Sequence, residues 1–314
     1  MYIQKKSVAE IIEKCLRYGA KIVAGGPLFT QEYESYPQVD HFVLNEAEIT
    51  LPMFLNDLIS GRQPQKVYTT EEFADLTQTP IPDYSLMNMD DYAFMSIQVS
   101  RGCPFSCEFC EITALLGRQV RMKSTHQVIN ELEALYDLNY RGYVLIVDDN
   151  FIGNRKEVKH TLLPAMLEWM EQHNFPFYFK TQATVDLSDD AELLSLMVKV
   201  GFRLIFIGIE TPEEESLKEC NKNQNKNRDM LLSVKIMQNA GLQVTAGFIV
   251  GFDSDTATTF QRQIDFIQQS GIVTAMVGLL NAPKKTKLYS RLESENRIVS
   301  EASGNNTDLY LNYS

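Results

Sequence analysis

Cys103, Cys107 and Cys110 stand in the stretch Ser-Arg-Gly-Cys-Pro-Phe-Ser-Cys-Glu-Phe-Cys at the spacing Cys-x3-Cys-x2-Cys. Three thiolates on one tight loop can hold three irons of a cubane iron–sulfur cluster and leave the fourth iron without a protein ligand. An open coordination position is what a metal centre needs to bind a reactant and not merely brace a loop. The other two of the five cysteines, Cys15 and Cys220, lie far from this run in sequence and are expected to take no part. A structural zinc site is the alternative. It needs four ligands, usually from two paired knuckles; His126 is available as a fourth, but the chain has no second Cys-x2-Cys or His-x3-His pair. A disulfide framework fits less well still, because a chain of 314 residues does not depend on staples.

Other polar residues stand at the ends of apolar runs. Asp148-Asp149-Asn150-Phe151 follows Tyr143–Val147, and its oxygens are either acceptors for an ammonium group or helix N-caps. Gln182 follows Thr181, and Glu210 closes Phe206-Ile-Gly-Ile-Glu. A carboxylate there is either a ligand-binding group or the start of a surface helix. Gly247, inside Thr245–Gly251, permits close approach of backbone to a flat ligand.

The elements that must position these residues alternate regularly. Strands are expected at Ser96–Ser100, Tyr143–Val147, Phe177–Thr181, Leu204–Gly208, Val244–Ile249 and Ala275–Leu279, whose near-continuous apolar runs fit parallel strands buried on both faces. Between them, Ser124-Thr-His-Gln127 is a capping box for a helix with Val128, Leu132 and Leu135 on one stripe. Asp189-Asp-Ala-Glu192 is expected to open another helix, which ends at Gly201. Phe260, Ile264 and Ile267 mark the apolar face of a helix ending near Gly271, and Pro164 marks a kink or a helix start. Six β–α units in series make an α/β fold, either a doubly wound sheet or a barrel.

Ahead of these units, a helix at Ser7–Tyr18 leads to the strand Lys21–Ala24 and the turn Gly25-Gly26-Pro27. A second strand, Val39–Leu44, is followed by Glu46 and a helix at Leu51–Ile59. Gly61–Tyr92 carries Pro64, Pro80 and Pro82 with little periodicity and reads as a linker. The length fits about two domains. Apolar residues make up 44% and charged residues 22%, ordinary for a globular chain. A formal charge of −12 argues against a nucleic-acid surface. No apolar run approaches the roughly 20 residues of a bilayer span, and the N-terminus has no signal-peptide core. Together with free thiols, these features place the chain in a reducing cytoplasm.

The cysteine loop and its upstream strand resemble the signature of the radical S-adenosylmethionine (SAM) superfamily. The phrases GGPLFT, LNEAEITLP, SRGCPFSCEFC, VDDNFIGN, FIGIETP and GFIVGFDSD extend the resemblance along the chain, toward a subgroup related to hopanoid C-2 methylases. It implies an open six-stranded (β/α)6 partial TIM barrel at 96–283, preceded by half of a Rossmann-like cobalamin-binding domain at 1–60 and a linker at 61–95. Residues 284–314 would begin a further C-terminal region, with the chain cut short at both ends. Cys103, Cys107 and Cys110 would ligate a 4Fe-4S cluster whose open iron is chelated by SAM. Phe109 matches the position beside the adenine, Asp148, Asp149 and Asn150 would receive the SAM ammonium, and Gln182, Glu210 and Gly247 would complete that site. Gly25, Gly26 and Glu46 would lie along cobalamin.

The activity implied by the resemblance is cleavage of SAM to methionine and a 5′-deoxyadenosyl radical, in service of cobalamin-dependent methylation of an unactivated carbon. The substrate would be a small molecule or lipid, and the electron donor a flavodoxin or ferredoxin. The competing expectations are a cobalamin-independent radical SAM oxidation or rearrangement, a zinc-stabilised binding module, and an inactive fragment.

Overall fold

The computed structural model describes residues 4–302 and 310–314. The chain divides into two compact units, Leu76–Leu280 and a unit made of Met1–Asp75 with Asn281–Ser314.

In Leu76–Leu280 the six expected strands form, each within two residues of its expected bounds at the start and three at the end: Met95–Ile97, Gly142–Ile146, Phe177–Ala183, Phe202–Glu210, Gln243–Val250 and Thr274–Leu279. They make one parallel sheet whose spatial order is the chain order. A doubly wound sheet reverses its order at a switch point; this one never does, and its first and last strands do not pair. It is an open partial barrel.

The strands are less uniformly buried than their apolar runs suggest. In Phe177–Ala183 the residues Phe177, Phe179, Thr181 and Ala183 are buried, while Tyr178 and Gln182 are exposed. The buried set packs on the helices through Leu132, Met166, Met197, Val234 and Met237. The other face lines the unfilled inside of the barrel, which is why it tolerates polar residues such as Gln182.

Helix starts follow local chemistry. Ser124 and Gln127 make both bonds of a capping box at the head of Thr125–Asp137. The helix Ala191–Val200 is capped one residue later than expected: Asp190 accepts from the Leu193 N–H at 3.0 Å. Asp189 instead pairs with Arg228 through two contacts of 2.6 Å. Two adjacent aspartates offer the same local signal, and the distant arginine decides between them. Gly201 ends that helix at φ 116°. Pro164 lies in the first turn of Leu163–Gln172, directly after a π-helical turn at Val158–Leu162.

The helix Thr259–Ser270 forms, but its inward face is not the expected one. Thr259, Gln263, Phe266 and Ser270 are buried, whereas Phe260 and Ile264 are exposed. Gln263 Nε2 donates to the Ile249 carbonyl at 2.8 Å and the Glu210 carbonyl at 3.2 Å. A polar side chain that satisfies two strand-end carbonyls wins the inward position, and apolar periodicity cannot register it.

In the other unit, strands Val23–Gly25, His41–Val43 and Val67–Tyr68 form a three-stranded parallel sheet in chain order. Helices Lys5–Arg17, Pro27–Glu32 and Ala47–Ile59 accompany it. Its third strand lies in the stretch 61–95, where the sequence leads one to expect only a linker. The final segment belongs to this unit too. Lys285 Nζ donates to the Thr30 carbonyl at 2.7 Å, and the Asn312 amide bonds both the N–H and the carbonyl of Ala282 at 2.9 and 3.0 Å.

The phase of Thr259–Ser270 gives a direct test. Gln263→Leu leaves two strand-end carbonyls short of a donor and is expected to destabilise the chain by about 1–3 kcal/mol. Phe260→Ser should stay within about 0.5 kcal/mol. Denaturant unfolding of the two variants reads the difference; the reverse ranking would contradict this orientation of the helix.

Candidate functional site

One cavity opens where the strands of the barrel end. Cys103, Cys107, Phe109 and Cys110 line it after the first strand, Asp149 after the second, Gln182 near the end of the third, and Gly208 and Glu210 at the end of the fourth. Lys222 and Gln224 close it from the loop beyond.

The cysteine loop is held from several sides. Gly102 takes φ 96°, and a Cβ there would meet the Gln119 carbonyl oxygen at 2.5 Å, so only glycine fits. Cys103 N–H donates to the Gly117 carbonyl at 3.3 Å, and Cys110 N–H to the Cys107 carbonyl at 3.2 Å. Burial raises the Cys103 thiol and pushes Cys110 up to about 12. Such thiols stay protonated until a metal displaces their protons, so binding drives the ionisation. Among the described residues no three His, Cys, Asp or Glu side chains gather around a single-ion position. His126 is exposed, next to Asn130, and does not line the cavity.

Asp148 and Asn150 were expected in the cavity, and neither lines it. Asp148 is 1% exposed and accepts from the Val99 N–H at 2.8 Å and the Ser100 hydroxyl at 2.5 Å, which fixes the chain leading into the cysteine loop. Asn150 Oδ1 accepts from the Thr184 N–H at 3.3 Å, bracing the second strand end against the third. Asp149, between them, does face the cavity, and burial pushes its carboxyl up to about 6. Gly247 lies outside the lining; a Cβ there would meet Phe206 Cζ at 2.9 Å, so it makes room for a ring that does line the cavity. Gly25, Gly26 and Glu46 belong to the other unit. A Cβ on Gly25 would meet the Val43 carbonyl oxygen at 2.5 Å, and Glu46 accepts from the Ala74 N–H at 2.5 Å. Gly26, at φ 87°, faces open space.

Lys222 escaped the sequence analysis. Its ammonium is 2.6 Å from Glu210 Oε1 and 5.9 Å from the centre of the Phe109 ring. Burial alone would lower its pKa; the Glu210 carboxylate outweighs that and raises it. Gly208 clears the space for this pair, since a Cβ would stand 2.3 Å from Glu210 Oε1 and 2.8 Å from Lys222 Nζ. Glu210 itself holds φ 65°, a costly conformation for a non-glycine residue. Lys222 lies in Cys-Asn-Lys-Asn-Gln-Asn, a polar stretch with no period to interpret. Cys220, remote in sequence, is near the loop in space: its carbonyl accepts from the Glu108 N–H at 2.9 Å, and burial pushes its thiol up to about 12.

Residues 97–267 match the sequence profile of the Radical SAM superfamily. The chain belongs to the radical SAM superfamily. It is 42% identical to an uncharacterized methyltransferase of Synechocystis over 316 aligned residues, covering 100% of this chain and 59% of the relative. Against the hopanoid C-2 methylase of Rhodopseudomonas palustris it is 37% identical, covering 95% of this chain and 57% of that protein. The chain thus spans well under two thirds of these relatives. The solved radical SAM methyltransferase TsrM of Kitasatospora setae, with cobalamin and a 4Fe-4S cluster bound, superposes with a TM-score of 0.78 at 17% identity, over 96% of this chain and 65% of that one. The cobalamin-dependent SAM radical enzyme OxsB, with aqua-cobalamin bound, gives 0.69 at 19% identity, over 93% of this chain and 46% of that one. Both share the fold of this radical SAM chain.

The carboxylate buried behind the cysteine loop and the strand glycine of the cavity can each be tested. Burial pushes the Asp148 carboxyl up to about 6, against hydrogen bonds from Ser100 and Val99 that lower it. A folded value above the ordinary 3.8 means the folded state binds the proton more tightly. The associated stability is present at low pH and lost as pH rises through about 6. Relative to Asp148→Asn, the parent chain should lose about 2 kcal/mol between roughly pH 4.5 and 7.5. Denaturation curves of both across that range check this; a pH-independent difference would remove the buried-carboxylate account. Separately, Gly208→Ala should cost about 1–3 kcal/mol by forcing the ion pair apart. Gly278→Ala, whose Cβ would meet nothing within 4 Å, serves as the neutral control.

Proposed function

We propose that this chain carries the SAM-cleaving part of a cobalamin-dependent C-methyltransferase. The observation that carries the reading is the convergence of Cys103, Cys107 and Cys110 on one cavity with Phe109, Asp149, Gln182, Glu210 and Lys222. The donor chemistry fits: three soft sulfur ligands on one loop suit three irons of a 4Fe-4S cluster. Cys103, Cys107 and Cys110 would hold such a cluster, which, reduced by a donor such as a flavodoxin or ferredoxin, would supply the electron for breaking the sulfonium C–S bond of SAM.

The protein's own work is placement. Asp149 accepts hydrogen bonds from the SAM ammonium, which also returns its carboxyl to the charged form. Gln182 and Glu210 accept from ribose hydroxyls, and Phe109 stacks on the adenine. Lys222 sets a buried positive charge beside three sulfurs that become negative on metal binding, offsetting part of their mutual repulsion. The turn at Gly26 offers bare backbone for the approach of cobalamin in the other unit. The substrate is an unactivated carbon in a small molecule or lipid, and the setting a reducing cytoplasm. Similarity to the hopanoid C-2 methylase supports this choice of chemistry. No helix among the described residues is long and apolar enough to cross a membrane.

The test is anaerobic reconstitution with iron and sulfide, followed by incubation with SAM and a strong reductant. The parent chain should form 5′-deoxyadenosine, and Cys103→Ala, Cys107→Ala or Cys110→Ala should lose both cluster and product, while Cys15→Ala keeps them. Asp149→Ala should keep the cluster and weaken SAM binding by about 1.5–3 kcal/mol, roughly ten- to a hundredfold. A parent chain that holds its cluster yet forms no 5′-deoxyadenosine would sink the proposal.

A further inference from the structure

The segment Cys220–Gln224 follows the short helix Glu214–Glu219 and folds back over the cysteine loop. Besides the bond from Glu108 to the Cys220 carbonyl, Asn221 Nδ2 donates to the Ser106 carbonyl at 3.0 Å and to the Ser106 hydroxyl oxygen at 2.8 Å. Asn221 does so from φ 57°, a left-handed conformation that asparagine tolerates better than most residues. Three residues on, Gln224 Nε2 lies 3.6 Å from Cys107 Sγ, within hydrogen-bond reach of a sulfur acceptor. Cys107 is a buried member of the cysteine loop, 8% exposed. The same amide's Oε1 is buried and has no hydrogen-bond partner. Nothing else therefore orients the amide against the sulfur. Once Sγ carries negative charge, the N–H must face it, because the carbonyl oxygen would be repelled.

We propose that Gln224 is a redox-tuning residue, donating its Nε2–H to Cys107 Sγ and thereby raising the reduction potential of the bound cluster. This rests on the reading of Cys103, Cys107 and Cys110 as cluster ligands. Reduction adds one electron, and part of the added charge falls on the ligand sulfurs. An N–H···S bond is stronger to the more negative sulfur, so it stabilises the reduced state over the oxidised one. Burial among thiolates works the other way and makes reduction harder. The amide offsets that burden at one sulfur while Asn221 fixes the loop that presents it.

The experiment is an EPR-monitored redox titration of the reconstituted full chain without SAM, with iron and sulfide contents measured alongside. Gln224→Met keeps the length and bulk of the side chain and removes the N–H donor. It should retain the cluster and shift the oxidised-to-reduced ratio at fixed poise about tenfold toward oxidised, 59 mV for a one-electron couple. Gln224→Lys restores a donor and adds positive charge, and should move the potential above that of the parent chain. Equal potentials in the parent, Met and Lys proteins would overturn the proposal, and so would loss of the cluster from both variants, which would mark Gln224 as a structural prop. If the parent chain itself took up no 4Fe-4S cluster, the ligand assignment would fall first and this inference with it.

Discussion

The buried pair of Lys222 and Glu210 is the contact on which the arrangement of the site depends. Taking two charges out of water costs several kcal/mol per ion, and the attraction between them compensates only when geometry and supporting bonds are good. The chain supplies those conditions from unrelated places. Gly208 withholds a side chain, Gln263 holds the Glu210 carbonyl, and Asn225 Nδ2 donates to the carbonyls of Gly208 and Ile209 at 2.9 Å each. Glu210 sits on the fourth barrel strand and Lys222 on the loop that covers the cysteines after the first. Both belong to one β–α connection, so the ion pair fastens that loop to its own strand end, and the loop's bonds to Glu108 and Ser106 carry the constraint to the cysteines. Leaving either charge alone would cost about 3–5 kcal/mol, a large share of a domain's net stability.

The sequence made the frame legible and left the joinery hidden. Cysteine spacing, the six apolar runs and the acceptors Asp149, Gln182 and Glu210 all depend on local pattern, and local pattern was enough to bring them to one cavity. Asp148 and Asn150 share the acceptor chemistry of Asp149, yet alternation along the chain turns the neighbours of Asp149 toward backbone donors at Val99 and Thr184. No periodicity distinguishes an acceptor facing a ligand from one facing an amide. Lys222, Gln224 and Cys220 were out of reach for a different reason. Gln224 and Cys220 matter through contacts across more than a hundred residues, as neighbouring Asn221 does with Ser106, and Lys222 through Glu210 at the other end of a loop with no period. The helix with Gln263 inward illustrates a third limit, since hydrophobic phase says nothing about a buried polar residue whose bonds are complete.

Glycine carries two separate tasks at the site. Gly102 is needed for its backbone conformation at φ 96°, while Gly208 and Gly247 are needed for the volume they leave to Glu210, Lys222 and Phe206. Only the first could have been inferred from turn chemistry. The other two lie inside strands, paired with each other where the register shifts, a place where glycine often stands. Gly208 thereby makes room for a pair in the cavity lining, and Gly247 for the Phe206 ring from the neighbouring strand.

The interleaving of the two units bears on vectorial synthesis. The unit that holds Met1–Asp75 also holds Asn281–Ser314, and Lys285 on Thr30 and Glu301 beside Lys5 join the two stretches. Everything in Leu76–Leu280 must leave the ribosome before those bonds can form, which at about 5–20 residues per second takes roughly ten to forty seconds. The barrel can fold while its predecessor still waits for its closing segment. Until then water must serve the Thr30 carbonyl that Lys285 later takes.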